Sequence, residues 1–235
     1  MEGIVLAGGF GTRLRAVVPD LPKPMAPVAG KPFLELVLAG MASQGFARVV
    51  LSLGYKADAI SAYFGERFQG MELVYEVEDA PRGTGGAVRA ALGRCAADHV
   101  FIFNGDTFLQ LEVPEVEACW GRHREPVIVT RAVDDTARYG RVQVQDGYVA
   151  DFLEKGQGGP GLINAGCYVF PRELLVGVAP RKEAFSLEAD FLVEAVRQGG
   201  FRSFTTRGTF IDIGVPEDYR RAQHELAHLA GVGHD

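Results

Sequence analysis

Short apolar runs alternate with helical patterns through the first half of the chain, and this alternation restricts the fold more than any other feature of the sequence. The apolar runs lie at residues 3–7, 48–53, 73–77, 99–103 and 126–132. The helical patterns lie at residues 33–44, 58–64, 85–92 and 114–123. Strands that alternate with helices form a largely parallel sheet with helices on both faces. We therefore expect an α/β protein.

The second half of the chain has a different pattern. Further apolar runs lie at residues 141–145, 162–170 and 201–213. Between two alternating runs, Gln145-Asp146-Gly147-Tyr148 is a hairpin signal, and a hairpin pairs its strands in antiparallel fashion. We therefore expect a mixed, mostly parallel central sheet, followed by a last helix from Pro216 to about Leu229. The chain shows no repeat or linker, so a single domain over residues 1–235 is predicted.

Charge and cysteine content exclude several classes of partner. The formal net charge is −6 and the basic residues are scattered, so we expect no nucleic acid partner. No apolar run reaches about 18 residues, so we expect no membrane-spanning segment. The three cysteines have no C-x-x-C spacing and the chain begins without a basic leader, which favours a cytoplasmic protein. The sequence leaves the oligomeric state open, and a homo-oligomer is compatible with it.

A long segment without periodicity, residues 8–32, follows the first predicted strand. Loops longer than about 12–15 residues usually have a function, and α/β sheets bind ligands where their strands end. The segment begins with Gly8-Gly9-Phe10-Gly11-Thr12-Arg13-Leu14, a turn whose backbone N–H groups can surround phosphate oxygens. Leu14 breaks the dinucleotide motif G-x-G-x-x-G, and the chain has no G-x-x-x-x-G-K-[ST]. A turn that only connects two elements does not account for three glycines followed by Arg13.

Lys23 is the second candidate in this segment. It lies in Leu21-Pro22-Lys23-Pro24-Met25, where prolines restrict the backbone on both sides. A lysine held in this way suits a phosphate clamp. The alternative, a solvated lysine in a proline turn, applies to a lysine without the neighbouring glycine turn.

These two motifs together resemble the signature of the sugar-1-phosphate nucleotidyltransferases, and further segments resemble this family in the same order. They are Pro81-Arg82-Gly83-Thr84-Gly85-Gly86 at the nucleobase turn, Asn104-Gly105-Asp106 at a metal-binding strand end, Glu154-Lys155 and Asn164-Ala165-Gly166 at the sugar phosphate, and Phe210-Ile211-Asp212-Ile213-Gly214 at a second metal carboxylate. The resemblance implies a Rossmann-like α/β/α fold. It also implies a nucleotide-binding half over about residues 1–110 and a sugar-phosphate-binding half over about residues 111–235.

The resemblance implies a role for each matching residue. The residues with catalytic roles are Arg13, Lys23 and Asp106. The nucleotide-binding residues are Leu6, Ala7, Gly8, Gly9, Gly11, Thr12, Glu78, Gly83, Thr84 and Gly85. The sugar-phosphate-binding residues are Asn104, Gly105, Gly140, Glu154, Lys155, Asn164 and Ala165. Asp106 and Asp212 are the expected ligands of Mg²⁺, which takes only one or two carboxylates; a bare turn is the alternative for Asp106.

Glycine is abundant, with 30 of the 235 residues against a typical share of about 7%. We attribute part of this excess to places where the backbone approaches a nucleotide closely. These places are Gly8, Gly9, Gly11, Gly83, Gly85 and Gly86.

The implied reaction joins a nucleoside triphosphate and a sugar 1-phosphate and releases pyrophosphate. It requires positioning and charge neutralisation rather than a protein nucleophile. Within the family, residues 17–27, 30–35 and 211–219 are most similar to the D-glycero-D-manno-heptose 1-phosphate guanylyltransferases. The expected partners are therefore GTP and the heptose 1-phosphate, and the GDP-heptose would supply a surface polysaccharide such as a capsule, a lipopolysaccharide or an S-layer glycan.

The base assignment also rests on Glu78, which lies three residues before Pro81. A carboxylate only accepts hydrogen bonds, which matches the N1–H and N2–H₂ donors of guanine. A solvated Glu78 is the competing interpretation. The motifs are also compatible with a mannose-1-phosphate guanylyltransferase, with a uridylyl- or thymidylyltransferase, and with a nucleotide-sugar sensor, although a sensor has no need of every charge-handling residue.

The C-terminal segment carries a competing motif. Residues His224 to His234 fit H-E-x-x-H-x-x-G-x-x-H, the zinc-binding pattern of one class of metalloprotease. That class needs a methionine after the third histidine, and the last methionine here is Met71. A zinc metalloprotease is therefore the remote alternative, and a solvated helix face explains His224 and His228 more simply.

Overall fold

The computed structural model of the chain describes residues 1–9, 14, 18, 21–153, 156, 158–176 and 182–231. The strands are β1 (Glu2–Leu6), β2 (Pro27–Val28), β3 (Lys31–Pro32), β4 (Arg48–Leu53), β5 (Arg67–Phe68), β6 (Met71–Val77), β7 (His99–Asn104), β8 (Thr107–Leu109), β9 (Val127–Val133), β10 (Arg141–Gln145), β11 (Tyr148–Leu153), β12 (Gly161–Pro171), β13 (Arg202–Thr206) and β14 (Phe210–Asp212). The α-helices are α1 (Phe33–Ser43), α2 (Ala57–Phe64), α3 (Gly83–Leu92), α4 (Val113–His123), α5 (Val193–Arg197) and α6 (Pro216–Glu225). Short 3₁₀ helices lie at Lys23–Met25 and Ala227–Ala230, and a π-helical turn lies at Glu188–Leu192.

The four predicted helical patterns are confirmed, since α1 to α4 match them to within two residues at each end. The end predicted for the last helix is wrong, because α6 ends at Glu225 and the chain continues as a 3₁₀ helix. The predicted run at residues 201–213 is divided into β13 and β14. Among the described residues, no helix combines the length and the apolar character that crossing a membrane requires.

One part of the main sheet, which we call the parallel region, consists of β6, β4, β1 and β7 in this spatial order. Each neighbouring pair is parallel, and Leu6 at the end of β1 lies opposite both Ser52 and Asn104. The carboxyl ends of these strands therefore meet at one edge. That edge is where ligands bind in open α/β sheets.

The other part, which we call the ring region, consists of β9 to β13. β12 joins β7 in antiparallel fashion, β9, β13, β11 and β10 follow, and β10 pairs again with β12. These strands thus close into a small ring in which, among the described residues, only β9 and β13 are parallel. The predicted mixed sheet is confirmed, but the prediction that it is mostly parallel holds only for the parallel region, because hairpins and the long β12 return the chain in antiparallel fashion.

Helices cover both faces of the parallel region. Successive side chains of a strand point to opposite faces, so Val5 belongs to the same hydrophobic cluster as Leu34 of α1, whereas Ile4 belongs to the cluster that contains Val88 of α3. Val5, Ile4, Leu34 and Val88 are all fully buried. Each such side chain contributes about 1.5–3 kcal/mol of burial free energy. Hydrophobic clusters on both faces therefore hold these strands in place, and with them the edge of the sheet where the strands end.

A two-stranded sheet lies beside the main one. β8 pairs with β14 in antiparallel fashion and places Thr107 opposite Asp212. Because β8 begins directly after Asp106, this pairing brings two acidic residues together that are far apart in the sequence.

Candidate active site

A cavity of about 570 Å³ opens at the carboxyl edge of the parallel region. Its volume is typical of small-molecule sites, which span about 300–1,000 Å³. The lining residues are Leu6, Ala7, Gly8, Gly9, Lys23, Pro24, Ser52, Gly54, Tyr55, Glu78, Asp79, Ala80, Pro81, Gly83, Thr84, Ala87, Asn104, Gly105, Asp106 and Glu188. The cavity is therefore formed by the ends of β1, β4, β6 and β7 together with the start of α3.

The structure brings most of the predicted site residues to this cavity. The predicted residues that line it are Leu6, Ala7, Gly8, Gly9, Lys23, Glu78, Gly83, Thr84, Asn104, Gly105 and Asp106. The predicted residues that are described but are not part of its lining are Gly85, Gly140, Asn164, Ala165 and Asp212. Gly11, Thr12, Arg13, Glu154 and Lys155 lie outside the described residues. The individual roles of all these residues stay predictions.

Strand ends approach each other closely beneath the cavity, and glycines permit this approach. A Cβ atom at Gly105 would lie 2.6 Å from the Leu6 carbonyl oxygen, and one at Gly54 would lie 2.9 Å from the Gly8 oxygen. The Gly105 N–H donates a hydrogen bond to that Leu6 oxygen at 2.9 Å. At Gly9, in contrast, no described atom lies within 4 Å of the Cβ position. The close approaches at Gly105 and between Gly8 and Gly54 thus serve the fold, whereas no described residue occupies the Cβ position of Gly9.

Asp106, Asp212 and Lys23 converge at one side of the cavity. The Ile213 N–H donates to the Asp106 carbonyl oxygen at 2.9 Å and so holds the two acidic segments together. Lys23 Nζ donates to Asp106 Oδ2 at 2.6 Å. A Cβ atom at Gly214 would lie 2.7 Å from Asp212 Oδ1 and 3.0 Å from Lys23 Nζ, so the ammonium group lies near both carboxylates.

The electrostatics of this cluster follow from its burial. Burial raises the pKa of Asp212, and the neighbouring charge of Asp106 raises it further. The Gly214 N–H, which donates to Asp212 Oδ1 at 2.7 Å, and the Lys23 ammonium lower it. The Lys23 ammonium supplies positive charge beside this pair of carboxylates in this structure.

The carboxylate pair fits a hard divalent cation. Mg²⁺ prefers oxygen ligands, keeps several waters and binds with one or two protein carboxylates together with substrate phosphates. The Asp106 side chain is 41% exposed and lines the cavity, so a ligand can reach it. No group of three or more His, Cys, Asp or Glu side chains suited to a metal occurs in the described part of the chain. A cation here would therefore depend on these two carboxylates and on the phosphates of a ligand.

The glycines of the predicted nucleobase turn have a second structural reason. A Cβ atom at Gly85 would lie 2.1 Å from the Phe185 ring, and one at Gly83 would lie 2.5 Å from the Phe185 carbonyl oxygen. At Gly86 the nearest atom is the Glu183 carbonyl oxygen, at 2.3 Å. The three glycines thus make room for residues 183–185. The sequence had suggested that they make room for a nucleotide alone. The Gly85 N–H also donates to the Phe185 oxygen at 2.9 Å.

Thr84 extends this contact toward the second half of the chain. Its hydroxyl oxygen accepts a hydrogen bond from the Leu187 N–H at 2.9 Å. Glu188, the next residue, lines the cavity. The turn at the start of α3 therefore fixes the position of an acidic side chain from a distant segment.

Glu78 follows β6 and lines the cavity beside this turn. Burial raises the pKa of Glu78, while the Arg82 N–H, 3.3 Å from Glu78 Oε2, lowers it. The carboxylate is partly buried and has acceptor capacity beyond this one bond. Its position is suited to hydrogen-bond donors on a ligand.

Side chains of the ring region form a connected set next to Glu188. Tyr168, which is fully buried, donates to Glu188 Oε1 at 2.9 Å and accepts from Asn164 Nδ2 at 2.7 Å. Burial raises the pKa of Tyr168, as does the Glu188 carboxylate, so this hydroxyl remains a donor. Gly166, with φ +68°, brings β12 against Asn104, since a Cβ atom there would lie 2.6 Å from Asn104 Nδ2. Asn164 therefore lies near Asn104 and the cavity.

Two other predicted sugar contacts have different surroundings. Ala165 is 1% exposed and belongs to the hydrophobic core. Gly140 immediately precedes β10, and a Cβ atom there would lie 3.2 Å from the Leu153 carbonyl oxygen. Leu153 immediately precedes the predicted residues Glu154 and Lys155. Gly140 therefore allows the chain before β10 to lie close to the end of β11.

Glu188 and Tyr168 were not among the site residues predicted from the sequence. Glu188 lies in no recognised motif, and its place in the cavity depends on contacts with Thr84, about a hundred residues away in the sequence. Tyr168 is one of several apolar residues of β12 by pattern, and its hydroxyl partners are set by tertiary packing. The only signal in the sequence was the proximity of Tyr168 to Asn164 on one strand.

The C-terminal histidines are not placed as the zinc motif requires. The motif needs its first two histidines on one α-helix, whereas α6 ends at Glu225 and His228 lies in the following 3₁₀ helix. His234 lies outside the described residues. The protease alternative therefore has no support from this segment.

The sequence matches the family described as "Nucleotidyl transferase" over residues 2–228. It is 40% identical to the D-glycero-alpha-D-manno-heptose 1-phosphate guanylyltransferase of Aneurinibacillus thermoaerophilus, covering 97% of this chain and 99% of that protein. It is 37% identical to the enzyme of the same name from Campylobacter jejuni, covering 93% and 97%. Its structure is similar to that of HddC from Yersinia pseudotuberculosis complexed with GMP-PN, with a TM-score of 0.86, 36% identity and coverage of 96% and 99%. The chain belongs to the nucleotidyl transferase family.

Proposed function

We propose that this protein joins GTP and D-glycero-α-D-manno-heptose 1-phosphate to give GDP-heptose and pyrophosphate. The observation that carries the proposal is the similarity over nearly the full length to two guanylyltransferases with this substrate in their names. The cavity agrees with it, because Lys23, Asp106 and Glu78 all face one space at the ends of parallel strands. The product would supply the synthesis of a surface polysaccharide.

The reaction is an in-line displacement at phosphorus. A phosphate oxygen of the sugar 1-phosphate attacks the α-phosphorus of GTP, a new P–O bond forms, and the bond to the bridging oxygen breaks as pyrophosphate leaves. The protein therefore has to align two anions and neutralise their charge. No side chain needs to form a covalent bond with the nucleotide.

Lys23 and the carboxylate pair would divide the neutralisation of charge. The Lys23 ammonium, held by prolines and 2.6 Å from Asp106 Oδ2, can pair with a phosphate of GTP when it moves away from Asp106. Asp106 and Asp212 would hold Mg²⁺, which supplies positive charge to the phosphate oxygens when bound. Arg13, which lies outside the described residues, is expected to act on the same phosphates.

Guanine would lie between the turn at the start of α3 and the ends of β4 and β6. Glu78 would accept hydrogen bonds from the N1–H and N2–H₂ groups of the base. Gly9, whose Cβ position has no described atom within 4 Å, would approach the phosphates. Gly83, Thr84 and the other predicted nucleotide contacts keep their roles within this proposal.

The sugar would be bound where the ring region meets the cavity. Glu188, Asn164 and Asn104 provide hydrogen-bonding groups there. Hydroxyl groups of a sugar can both donate to Glu188 and accept from the amide groups. Gly140, Glu154, Lys155 and Ala165 remain predicted contacts of the sugar phosphate.

The test is a pyrophosphate-release assay of the purified protein with Mg²⁺. GTP, ATP, UTP and dTTP are each combined with the 1-phosphates of heptose, mannose and glucose. We expect the highest kcat/KM with GTP and heptose 1-phosphate. Higher values with mannose 1-phosphate would reject the heptose assignment, and activity with UTP or dTTP but not GTP would reject the base assignment.

A further inference from the structure

The loop of residues 134–140 connects β9 to β10 and lies outside the cavity lining. On one side it is held to the segment before β12. The Thr136 N–H donates to the Gly159 carbonyl oxygen at 3.1 Å, and the Arg141 guanidinium donates to the carbonyl oxygens of Gly158 and Pro160, each at 3.2 Å. This side of the loop is thus fixed by bonds to main-chain atoms.

On its other side the loop contacts the segment that carries Asp212. The Tyr139 ring packs edge-on against the Phe210 ring of β14, with 5.9 Å between centroids. Phe210 lies two residues before Asp212. Through Tyr139 the loop therefore contacts β14, the strand that carries the candidate metal ligand Asp212. The loop leads directly into β10, where Arg141 pairs with Ile163, the neighbour of Asn164.

Asp218 holds this second side of the loop. It lies in the first turn of α6, its side chain is 2% exposed, and Arg138 Nη2 donates to its Oδ2 atom. Arg221 Nη1 donates to Oδ1 at 3.0 Å. A carboxylate so deeply buried requires such partners, and breaking one contact costs more than breaking an exposed ion pair.

The two arginines differ in what they connect. Arg138 connects Asp218 to the loop, whereas Arg221 also donates to the Phe210 carbonyl oxygen at 3.0 Å and so joins α6 to β14. Their side chains have nearly equal exposure, 46% and 43%. Of the two, Arg138 alone therefore fixes the loop relative to Asp212.

We propose that Arg138 and Asp218 are positioning residues for the sugar 1-phosphate. Their ion pair sets the loop of residues 134–140 between Asp212 and Asn164, at the boundary where the sugar phosphate meets the nucleotide. A loop that is ordered before binding loses less conformational entropy when the ligand arrives. The inference rests on the proposed function, since it assumes that the ligand of this region is the sugar 1-phosphate.

The experiment compares Arg138→Ala with the matched control Arg221→Ala. We expect Arg138→Ala to raise the KM for heptose 1-phosphate about tenfold, equivalent to about 1.4 kcal/mol. The KM for GTP and kcat should stay within about twofold, because the lost interaction serves the binding of one substrate. Arg221→Ala should leave all three values within about twofold. Equal increases in both variants would overturn the proposal, since loss of charge around Asp218 would then be the cause.

Two further variants, Arg138→Lys and Asp218→Asn, test the ion pair itself. The described contact joins Arg138 Nη2 to one oxygen of Asp218, so a lysine can replace the arginine and should restore the KM to within about threefold of the wild-type value. Asp218→Asn keeps the shape of the side chain and should reproduce the effect of Arg138→Ala. A wild-type KM in Asp218→Asn would contradict the role of the ion pair.

Hydrogen exchange gives a readout that does not depend on turnover. Peptides that cover residues 134–140 should exchange faster in Arg138→Ala than in the wild type, and Arg221→Ala should not change them. Absence of turnover in the wild type would reject the proposed function, whereas unchanged exchange and unchanged KM in Arg138→Ala would reject only the positioning role.

Discussion

The parallel region and the ring region position their candidate binding groups by different means. In the parallel region the groups follow strand ends whose positions are set by main-chain register and by close glycine contacts, such as that between Gly105 and Leu6. In the ring region they depend on side-chain hydrogen bonds, such as those of Tyr168 with Asn164 and Glu188. A change at a close main-chain contact of the first region should therefore affect folding, and a change in a side-chain hydrogen bond of the second should mainly affect affinity.

The largest effect is expected at the strand end that carries the chemistry. Asp106→Ala should lower kcat by about 10²–10³-fold, because it removes a carboxylate from the proposed cation site and the partner of Lys23. The measurement is pyrophosphate release at saturating substrates, with circular dichroism to verify folding. Asp58→Ala, which changes an exposed carboxylate of α2, is the control and should retain wild-type kcat. Turnover within tenfold of wild type would assign the metal role elsewhere.

The second-largest effect is expected at Gly105, where the ends of two strands lie in close main-chain contact. Gly105→Ala should lower the free energy of unfolding by about 1–3 kcal/mol, because the new Cβ would meet the Leu6 carbonyl oxygen at 2.6 Å and the backbone would have to shift. Gly9→Ala should leave that free energy unchanged and raise the KM for GTP. Urea unfolding of both variants measures the difference. Equal stability of the two variants would show that Gly105 is no more important for the fold than Gly9.

Removal of the Tyr168 hydroxyl, in the ring region, should have a smaller effect, and this effect should be on the affinity for the sugar phosphate. Tyr168→Phe removes a hydrogen bond to Glu188 and one from Asn164, so we expect the KM for the sugar phosphate to rise about fivefold, equivalent to about 1 kcal/mol. The KM for GTP should stay constant. Tyr75→Phe, which removes a hydrogen bond to the Gly65 carbonyl oxygen in the parallel region, is the control. An equal rise in the KM for both substrates would show that Tyr168 acts through general packing.

The two regions also differ in how far the sequence predicts them. In the parallel region, hydrophobic periodicity located α1 to α4, and the motif around Lys23 and Asp106 located residues of one cavity. Such motifs are local, because a strand end and the turn after it are contiguous in the chain. The positions of Gly8 and Gly105 were also predicted, although the structure gives them a role in the contact between strands.

The ring region depends on contacts that local patterns do not specify. β10 pairs with both β11 and β12, and this second pairing closes the ring and makes the sheet less parallel than predicted. Glu188 reaches the cavity because Leu187 bonds to Thr84. Packing between distant segments also explains why residue 85 is a glycine, since the Phe185 ring lies against it. No sequence pattern near Gly85 indicates this contact.

The smallest predicted effect is a pH dependence that should appear in nucleotide binding alone. Burial raises the pKa of Glu78 above its usual value, so this carboxylate becomes protonated at a higher pH than an ordinary glutamate. In the proposed function, the ionised form of Glu78 accepts hydrogen bonds from guanine. The KM for GTP should therefore rise as the pH falls from about 7 to about 5, and GTP binding in that range should release protons from Glu78.

Glu78→Gln tests this dependence because an amide does not titrate. The variant should bind GTP more weakly at neutral pH, and its KM for GTP should change less with pH than that of the wild type. Calorimetry in two buffers of different ionisation enthalpy measures the protons released, and the difference between wild type and Glu78→Gln isolates the carboxylate from the titration of the triphosphate. If both proteins release the same number of protons, Glu78 is not the group that recognises guanine. If the KM for the sugar phosphate follows the same pH profile as that for GTP, the two regions share a titrating group and are not separate in the way their architecture implies.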